Sequence, residues 1–152
     1  MTEVSAAPSF MQVALAQAKS AAADGEVPVG CVIARAGIII AQARNRTLAD
    51  QDPTAHAEML AIRAAAHALG SERLVDCDLY VTLEPCAMCA AAISFARIRR
   101  LYYGAADPKG GAVENGVRFF GSPTCHHRPE TYAGIGEADA AGLLREFFRA
   151  RR

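Results

Sequence analysis

Residues 82–89, TLEPCAMC, hold two cysteines that are separated by two residues and preceded by a proline. This spacing is typical of three chemistries: a redox dithiol, half of a structural zinc site, and part of a catalytic metal site. The apolar residues 79–83 predict a short strand, and the Ala-rich residues 86–96 after the proline predict a helix. Cys86 and Cys89 should therefore lie on the first turn of a helix, where free backbone N–H groups stabilise thiolates.

The other half of this pattern is the string His-Ala-Glu at residues 56–58. With the two cysteines, His56 offers a metal two sulfurs and one nitrogen, which leaves the fourth tetrahedral position open for water, as in catalytic zinc sites. Bound zinc lowers the pKa of that water to about 7. Glu58 has no purpose in a structural site, so we predict that it takes and delivers the proton of the water. Positions two apart on an ideal helix diverge by about 200°, so His56 and Glu58 converge only at the mouth of a helix.

The cysteine pair has three other interpretations. A redox dithiol does not need a His-x-Glu string elsewhere in the chain. The two cysteines could be ordinary buried hydrophobic residues. A structural zinc site needs a fourth strong ligand, and the candidates of suitable type, which form no second close-spaced pair, are His67, Cys77, Cys125, His126 and His127. A catalytic zinc site accounts for more of the residues than any of these.

Length and composition indicate the class of protein. With 152 residues, 52% hydrophobic and 21% charged, the chain is expected to form a single domain over residues 1–152. It has no apolar run near the roughly 20 residues that span a bilayer, and its N-terminus lacks a signal-peptide pattern. Five cysteines at scattered spacing fit a reducing compartment better than a disulfide framework. We therefore expect a cytoplasmic protein without a membrane partner.

The net charge of zero conceals an asymmetry along the chain. Residues 1–96 carry 6 Lys and Arg against 10 Asp and Glu, whereas residues 97–152 carry 10 against 6. A basic half can attract a polyanion such as RNA. The same charges could instead form a solvated helix face, so charge alone does not decide between the two.

The remaining chain alternates helices and strands. Ser9 and Gln12 have the spacing of a capping box, which predicts a first helix that ends near Asp24. The next predicted elements are a hairpin over 27–34 and 38–43 with a tight turn at Ala36-Gly37, and a helix from Thr54, its candidate cap, to Leu69. A strand over 98–103, mostly loop over 105–136 and a helix over 138–149 follow. The late strand–helix–strand order predicts a parallel pair joined by a right-handed crossover, within a mixed sheet covered by helices.

The strings HAE and PCAMC, with 26 residues between Glu58 and Pro85, resemble the H-x-E…P-C-x-x-C signature of the zinc-dependent cytidine/deoxycytidylate deaminase superfamily. Further segments are similar, in the same order, to the tRNA adenosine deaminases of that superfamily. These segments are EVPVG at 26–30, NR at 45–46, DPTAHAE at 52–58, LYVTLEPC at 79–86, RI at 97–98, GAAD at 104–107, K at 109 with GA at 111–112, HR at 127–128, and LL at 143–144 with FFR at 147–149.

The resemblance implies a three-layer α/β/α fold with a central mixed five-stranded sheet flanked by helices. It also implies a homodimer with one zinc ion per subunit, held by His56, Cys86 and Cys89. The implied reaction is hydrolytic deamination of the wobble adenosine, position 34, in a tRNA anticodon stem-loop, which yields inosine. Zinc hydroxide would attack C6 of the base and Glu58 would shuttle the protons. A DNA partner is not expected.

Five residues are expected to contact the substrate. Asn45 matches the base-contacting asparagine of the family, Asp107 and Lys109 match a loop that touches the anticodon, and Arg128 and Arg149 belong to similar segments in the basic half. Plainer roles stay open for some of them: Asn45 and Asp107 could stabilise turns, and Arg128 could be a solvated loop residue.

Two other functions also stay open. The first is a deaminase of free nucleobases or nucleosides, such as guanine, cytosine or cytidine, with the same zinc site. The second is a noncatalytic RNA-binding or zinc-structured module. The basic half and the loop with Asp107 and Lys109 argue against the first, and Glu58 argues against the second.

Overall fold

The computed structural model describes residues 9–151. Residues 1–8, which hold most of the N-terminus assessed for a signal peptide, and Arg152 of the basic end lie outside the described residues. The helices are α1 (Phe10–Ala23), α2 (Ala57–Leu69), α3 (Ala87–Ala96) and α4 (Glu137–Arg149). The strands are β1 (Gly30–Arg35), β2 (Ile38–Arg44), β3 (Asp78–Leu83), β4 (Arg100–Ala105) and β5 (Glu130–Tyr132).

The five strands form one mixed sheet in the order β2-β1-β3-β4-β5. β1 is antiparallel to β2 and β3, whereas β3, β4 and β5 run parallel. The predicted parallel pair is confirmed, with α3 connecting β3 to β4. Because Leu83 pairs with Ala105, the carboxyl ends of β3 and β4 lie at the same edge of the sheet. The segments that follow them, with Cys86 and Asp107, therefore begin side by side.

Helices cover both faces of the sheet, which confirms the expected three layers. On one face α2 and α3 pack on alternate strand residues such as Ile33, Leu79 and Leu101, which are fully buried. On the other face α1 and α4 pack on Val32, Tyr80 and the residues around them. The period-2 alternation of side chains along each strand thus supplies both halves of the core.

Two local features of the sequence determine where the first elements begin and turn. Ser9 and Gln12 form the predicted capping box: the Ser9 hydroxyl accepts from the Gln12 N–H, and the Gln12 side chain accepts from the Ser9 N–H. Ala36 and Gly37 form the predicted tight turn with positive φ values of 52° and 78°, as hairpin turns of two residues require.

One prediction about the elements was wrong, and one short strand was not predicted. Thr54 does not cap α2, because its N–H and hydroxyl both bond to the Asp52 carboxylate, and the helix begins three residues later at Ala57. β5 lies inside the stretch predicted as mostly loop. Its three residues, Glu-Thr-Tyr, are all exposed and carry no apolar residue that the sheet buries, so the sequence holds no signal of a buried strand face. Pairing with β4 is what makes them a strand.

Candidate active site

His56 and Cys86 occupy equivalent positions, each immediately before the first residue of a helix. Both have extended backbone angles, with φ and ψ of −77° and 152° at His56 and −75° and 178° at Cys86. His56 therefore does not lie on the helix that carries Glu58, and the divergence expected on an ideal helix does not apply. The N-termini of α2 and α3 both face the site, so their unpaired N–H groups favour negative charge there.

The three predicted metal-binding side chains converge. The ligand atoms of His56, Cys86 and Cys89 all lie within 4.8 Å of one another. His56 Nδ1 is 3.7 Å from the Cys86 sulfur and 3.5 Å from the Cys89 sulfur. Tetrahedral zinc, with bonds of about 2.3 Å to sulfur and 2.0–2.1 Å to nitrogen, places such a pair about 3.6 Å apart. The donor set therefore fits zinc, and three protein ligands leave one position open.

The thiols share their protons unequally. The hydrogen bond from the Cys89 thiol lowers the pKa of Cys86 to about 4, against the effect of burial, and His56 contributes to the lowering. The same bond raises the pKa of Cys89, as does its burial. The hydrogen bond with Cys86 raises the pKa of His56. A metal ion that binds here thus meets one thiolate already formed and displaces a proton from the second thiol.

Glu58 lies beside this donor set in the first turn of α2, and its side chain is only 4% exposed. Burial raises the pKa of its carboxyl to about 7. A carboxyl with a pKa near neutrality can both accept and return a proton. The structure thus places a buried carboxyl beside the metal-binding side chains, and its role in proton transfer stays a prediction.

These residues open on a cavity of about 240 Å³ between two loops. Its lining comprises Val27, Val29, Asn45, Thr47, His56, Glu58, Leu83, Glu84, Cys86, Asp107 and Gly110. The structure thus brings Asn45 and Asp107 to the cavity with the metal-binding residues. The apolar side chains in the lining offer a surface for a flat ring, and the polar ones offer hydrogen bonds at its edge.

Asn45 is tied into the wall of the cavity by its side chain. Its Oδ1 accepts from the Ala57 N–H at 2.8 Å, and its Nδ2 donates to the Val27 carbonyl at 3.1 Å. Asn45 therefore caps α2 from a distance, the role that the sequence analysis had assigned to Thr54. Oδ1 keeps one lone pair and Nδ2 keeps one N–H for a further hydrogen bond, so the same side chain can also contact a base.

Two buried acids at this edge of the sheet were missed as functional residues. Glu26 and Glu84 are each 2% exposed. The signal was present in the sequence, since each glutamate stands beside apolar, strand-like residues in EVPVG and TLEPC. Hydrogen bonds from Asp107, Asn115 and Val113 hold the pKa of Glu84 below its usual range, although burial alone would raise it.

Lys109 and Arg149 line a second and larger groove, of about 870 Å³, formed by the residues after β4 and by α4. Arg149 also pairs with Glu146 within the helix. Arg151 is held differently, because its guanidinium lies 3.6 Å from the centre of the Phe147 ring. Since Asp107 lines the catalytic cavity and Pro108 lines this groove, the two depressions adjoin.

Arg128 is the one predicted contact residue that the structure does not bring to either depression. It lines a separate cleft of about 430 Å³ with Arg73, Arg97 and Arg99. Because it precedes β5, which is parallel to β4, Arg128 lies near the amino ends of these strands, away from the catalytic edge. A contact between Arg128 and RNA stays a prediction.

Within residues 9–151, none of the helices has both the length and the apolar character that crossing a membrane requires.

A sheet covered on both faces by helices, with this donor set at two helix N-termini and a buried acid beside it, defines a zinc-dependent deaminase. In zinc deaminases an open fourth position activates water, and a glutamate that does not bind the metal moves its proton. The family model of the cytidine and deoxycytidylate deaminase zinc-binding region matches residues 5–105. The chain belongs to this family.

Its relatives include enzymes that act on tRNA. It is 62% identical over 143 residues to a tRNA-specific adenosine deaminase from Agrobacterium fabrum, which covers 94% of each chain. A solved structure from a study of A-to-I editing by tRNA:A34 deaminases superposes with a TM-score of 0.88 at 62% identity, covering 89% of this chain and 98% of that one. Guanine deaminase from Bacillus subtilis superposes with a TM-score of 0.64 at 33% identity, covering 99% and 94%.

Proposed function

We propose that this chain catalyses the hydrolytic deamination of adenosine to inosine at wobble position 34 of a tRNA anticodon stem-loop. The observation that carries the proposal is the buried Glu58 carboxyl beside three converging metal-binding side chains, in a chain 62% identical over most of its length to a tRNA-specific adenosine deaminase. Residues 1–152 would act as one deaminase domain.

The residues of the site divide the chemistry between them. Zinc held by His56, Cys86 and Cys89 would supply a water molecule whose pKa is lowered to about 7. The Glu58 carboxylate accepts one proton from that water and gives it to the ring nitrogen. It then accepts the remaining proton of the added hydroxyl and gives it to the amino group, which leaves as ammonia. Asn45 holds the edge of the base with its unused hydrogen-bonding positions. The apolar wall at Val29 keeps further water away from the ring.

The size of the cavity supports a substrate that is presented one base at a time. At about 240 Å³ the cavity lies below the usual range of pockets for drug-sized ligands, about 300–1,000 Å³. It suits a single base turned out of its strand, as in other nucleic-acid deaminases. The sugar and phosphates would then lie outside, toward the groove with Lys109 and Arg149, where cations attract the RNA backbone.

The second candidate is deamination of a free base, favoured by the likeness to Bacillus subtilis guanine deaminase. One experiment separates the two: incubation with an anticodon stem-loop, beside free adenosine, guanine and cytidine, and measurement of inosine and ammonia. We expect product from the stem-loop alone. Product from guanine and none from the stem-loop would establish the second candidate.

We further propose that the chain forms a homodimer through the outer face of α3. Met88, Ala91, Ala92 and Phe95 follow one another at helical spacing on this face, and Phe95 is 66% exposed. Such a stripe of apolar residues is typical of an interface between subunits. Phe95→Glu should shift the protein from dimer to monomer in sedimentation velocity, whereas Ile38→Glu, at an equally exposed position, should not. A monomeric wild-type protein would contradict the proposal.

We propose the cytoplasm as its location, because all five cysteines are free thiols and the zinc site requires two of them reduced.

A further inference from the structure

Glu84 is a buried acid at the rim of the catalytic cavity that the proton transfer does not use. Its carboxylate accepts hydrogen bonds from the backbone N–H of Asp107 at 2.9 Å and from those of Val113, Glu114 and Asn115 at 3.0, 2.9 and 3.0 Å. The Asn115 side chain adds a fifth bond at 2.7 Å. One carboxylate thus satisfies four of the eight backbone N–H donors of a single loop, residues 107–115, which we term the clamp loop.

The clamp loop closes tightly on the end of β3. The Ala112 N–H donates to the Pro85 carbonyl at 2.8 Å, one residue before Cys86. A Cβ atom at Gly111 would overlap the carboxyl group of Glu84, so only glycine fits there. The loop is therefore held against the same short segment that places a cysteine in the metal site.

Glu84 is linked to Lys109 by hydrogen bonds through a second carboxylate, that of Asp107. Glu84 holds the backbone of Asp107. The Asp107 carboxylate in turn accepts from the N–H groups of Lys109 at 3.2 Å and Gly110 at 3.0 Å. The Asp107 side chain is thus engaged in shaping the loop, and the exposed Lys109 side chain is directed by it into the groove shared with Arg149.

We propose that Glu84 is a positioning residue for RNA: it fixes the clamp loop so that Lys109 meets the phosphates of a stem-loop whose base occupies the catalytic cavity. This inference rests on the proposed function. Without Glu84, the backbone dihedral angles of the clamp loop would be ordered only when RNA binds, and this loss of conformational entropy would weaken the affinity. Glu84 acts through Lys109 and touches no reacting atom.

The chain offers a matched control in Glu26. It is equally buried and also accepts from a loop on the cavity wall, through the N–H groups of Leu48 at 3.1 Å and Ala49 at 2.8 Å and the Thr47 hydroxyl at 3.4 Å. That loop does not carry Lys109. Glu26→Gln and Glu84→Gln should therefore cause similar losses of buried hydrogen bonds with different consequences for Lys109.

The test is a double-mutant cycle on binding of a synthetic anticodon stem-loop, in a zinc-loaded Glu58→Gln background so that the RNA is not consumed. Glu84→Gln should raise the Kd about tenfold when Lys109 is present and less than about twofold when it is alanine. In an Arg149→Ala background, Glu84→Gln should still raise the Kd about tenfold, because Arg149 lies on α4, outside the clamp loop. The effects of Glu26→Gln and Lys109→Ala on the free energy of RNA binding should be additive.

An independent readout does not require RNA. Amide hydrogen exchange in the clamp loop should become faster in Glu84→Gln, while the zinc content stays the same. Asn115→Ala, which removes one side-chain donor and leaves the backbone bonds, should act in the same direction with a smaller effect, and it serves if Glu84→Gln does not fold. Unchanged exchange, or additive effects of Glu84→Gln and Lys109→Ala on the Kd, would overturn the proposal. A wild-type protein that neither binds nor edits the stem-loop would instead refute the proposed function.

Discussion

Replacing Glu58 with glutamine should remove the proposed proton carrier and change little else. The amide has nearly the same shape as the carboxyl, so the first turn of α2 and the cavity should keep their geometry. Glu58 is not among the three converging metal-binding side chains, and zinc should therefore remain bound at one equivalent per chain. Because burial penalises the charged form of Glu58 and raises its pKa to about 7, removing the charge should not lower the Tm.

The magnitude follows from the task of the residue. A positioned acid–base group contributes about 10²–10⁴-fold to a rate, which corresponds to about 3–5 kcal/mol of transition-state stabilisation. The cavity offers no second acid free to take over, since the carboxylates of Glu84 and Asp107 accept bonds from backbone N–H groups. We therefore expect kcat to fall by about three orders of magnitude, with little change in KM.

The assay is steady-state deamination of an anticodon stem-loop over a range of RNA concentrations, with zinc content and Tm measured on the same samples. Glu72→Gln, an exposed acid outside the site, is the matched control and should keep full activity. Undiminished kcat in a zinc-loaded Glu58→Gln protein would remove Glu58 as the proton carrier. Loss of zinc from that variant would show instead that Glu58 helps to hold the metal.

Three further results are expected. Chelation of zinc under reducing conditions should abolish deamination and lower the Tm, because a metal held by His56, Cys86 and Cys89 would link the N-termini of α2 and α3. Added zinc should restore both the activity and the Tm. An unchanged Tm would contradict this link. Asn45→Ala should cost about 1–2 kcal/mol in the free energy of unfolding measured in urea, because α2 loses its cap; a loss below about 0.5 kcal/mol would contradict that role. Lys109→Ala and Arg149→Ala should each reduce the slope of log Kd against log salt for the stem-loop by about 0.7, and unchanged slopes would show that neither meets a phosphate.

The catalytic centre was predictable because its information is local. A His-x-Glu string and a C-x-x-C string each place ligands at the start of a helix, and the combination is specific enough to indicate a deaminase. The first capping box and the hairpin turn were predictable for the same reason, since each depends on residues within a few positions of one another.

The errors arose where distant contacts prevailed over local signals. Thr54 had the composition of a cap, but Asp52 engages it and Asn45, twelve residues before Ala57, caps the helix instead. β5 carries no apolar pattern and becomes a strand only because β4 presents an open edge to it. The placement of Arg128 was likewise beyond any local pattern, because the parallel sheet sets Arg128 and Lys109 at opposite ends of its strands; its contact with RNA stays a prediction.

The sequence by itself determined the metal-binding side chains and the class of chemistry and indicated a candidate proton carrier, because residue type and short spacing are sufficient to specify them. Only the tertiary structure decided how the loops around the cavity are held and which cations line the adjoining groove. The reason is that Glu84 meets its donors across 23 to 31 positions of the chain, and His56 meets the cysteines across 30 and 33. Contacts at such separations depend on the order of strands in the sheet, which no local pattern encodes.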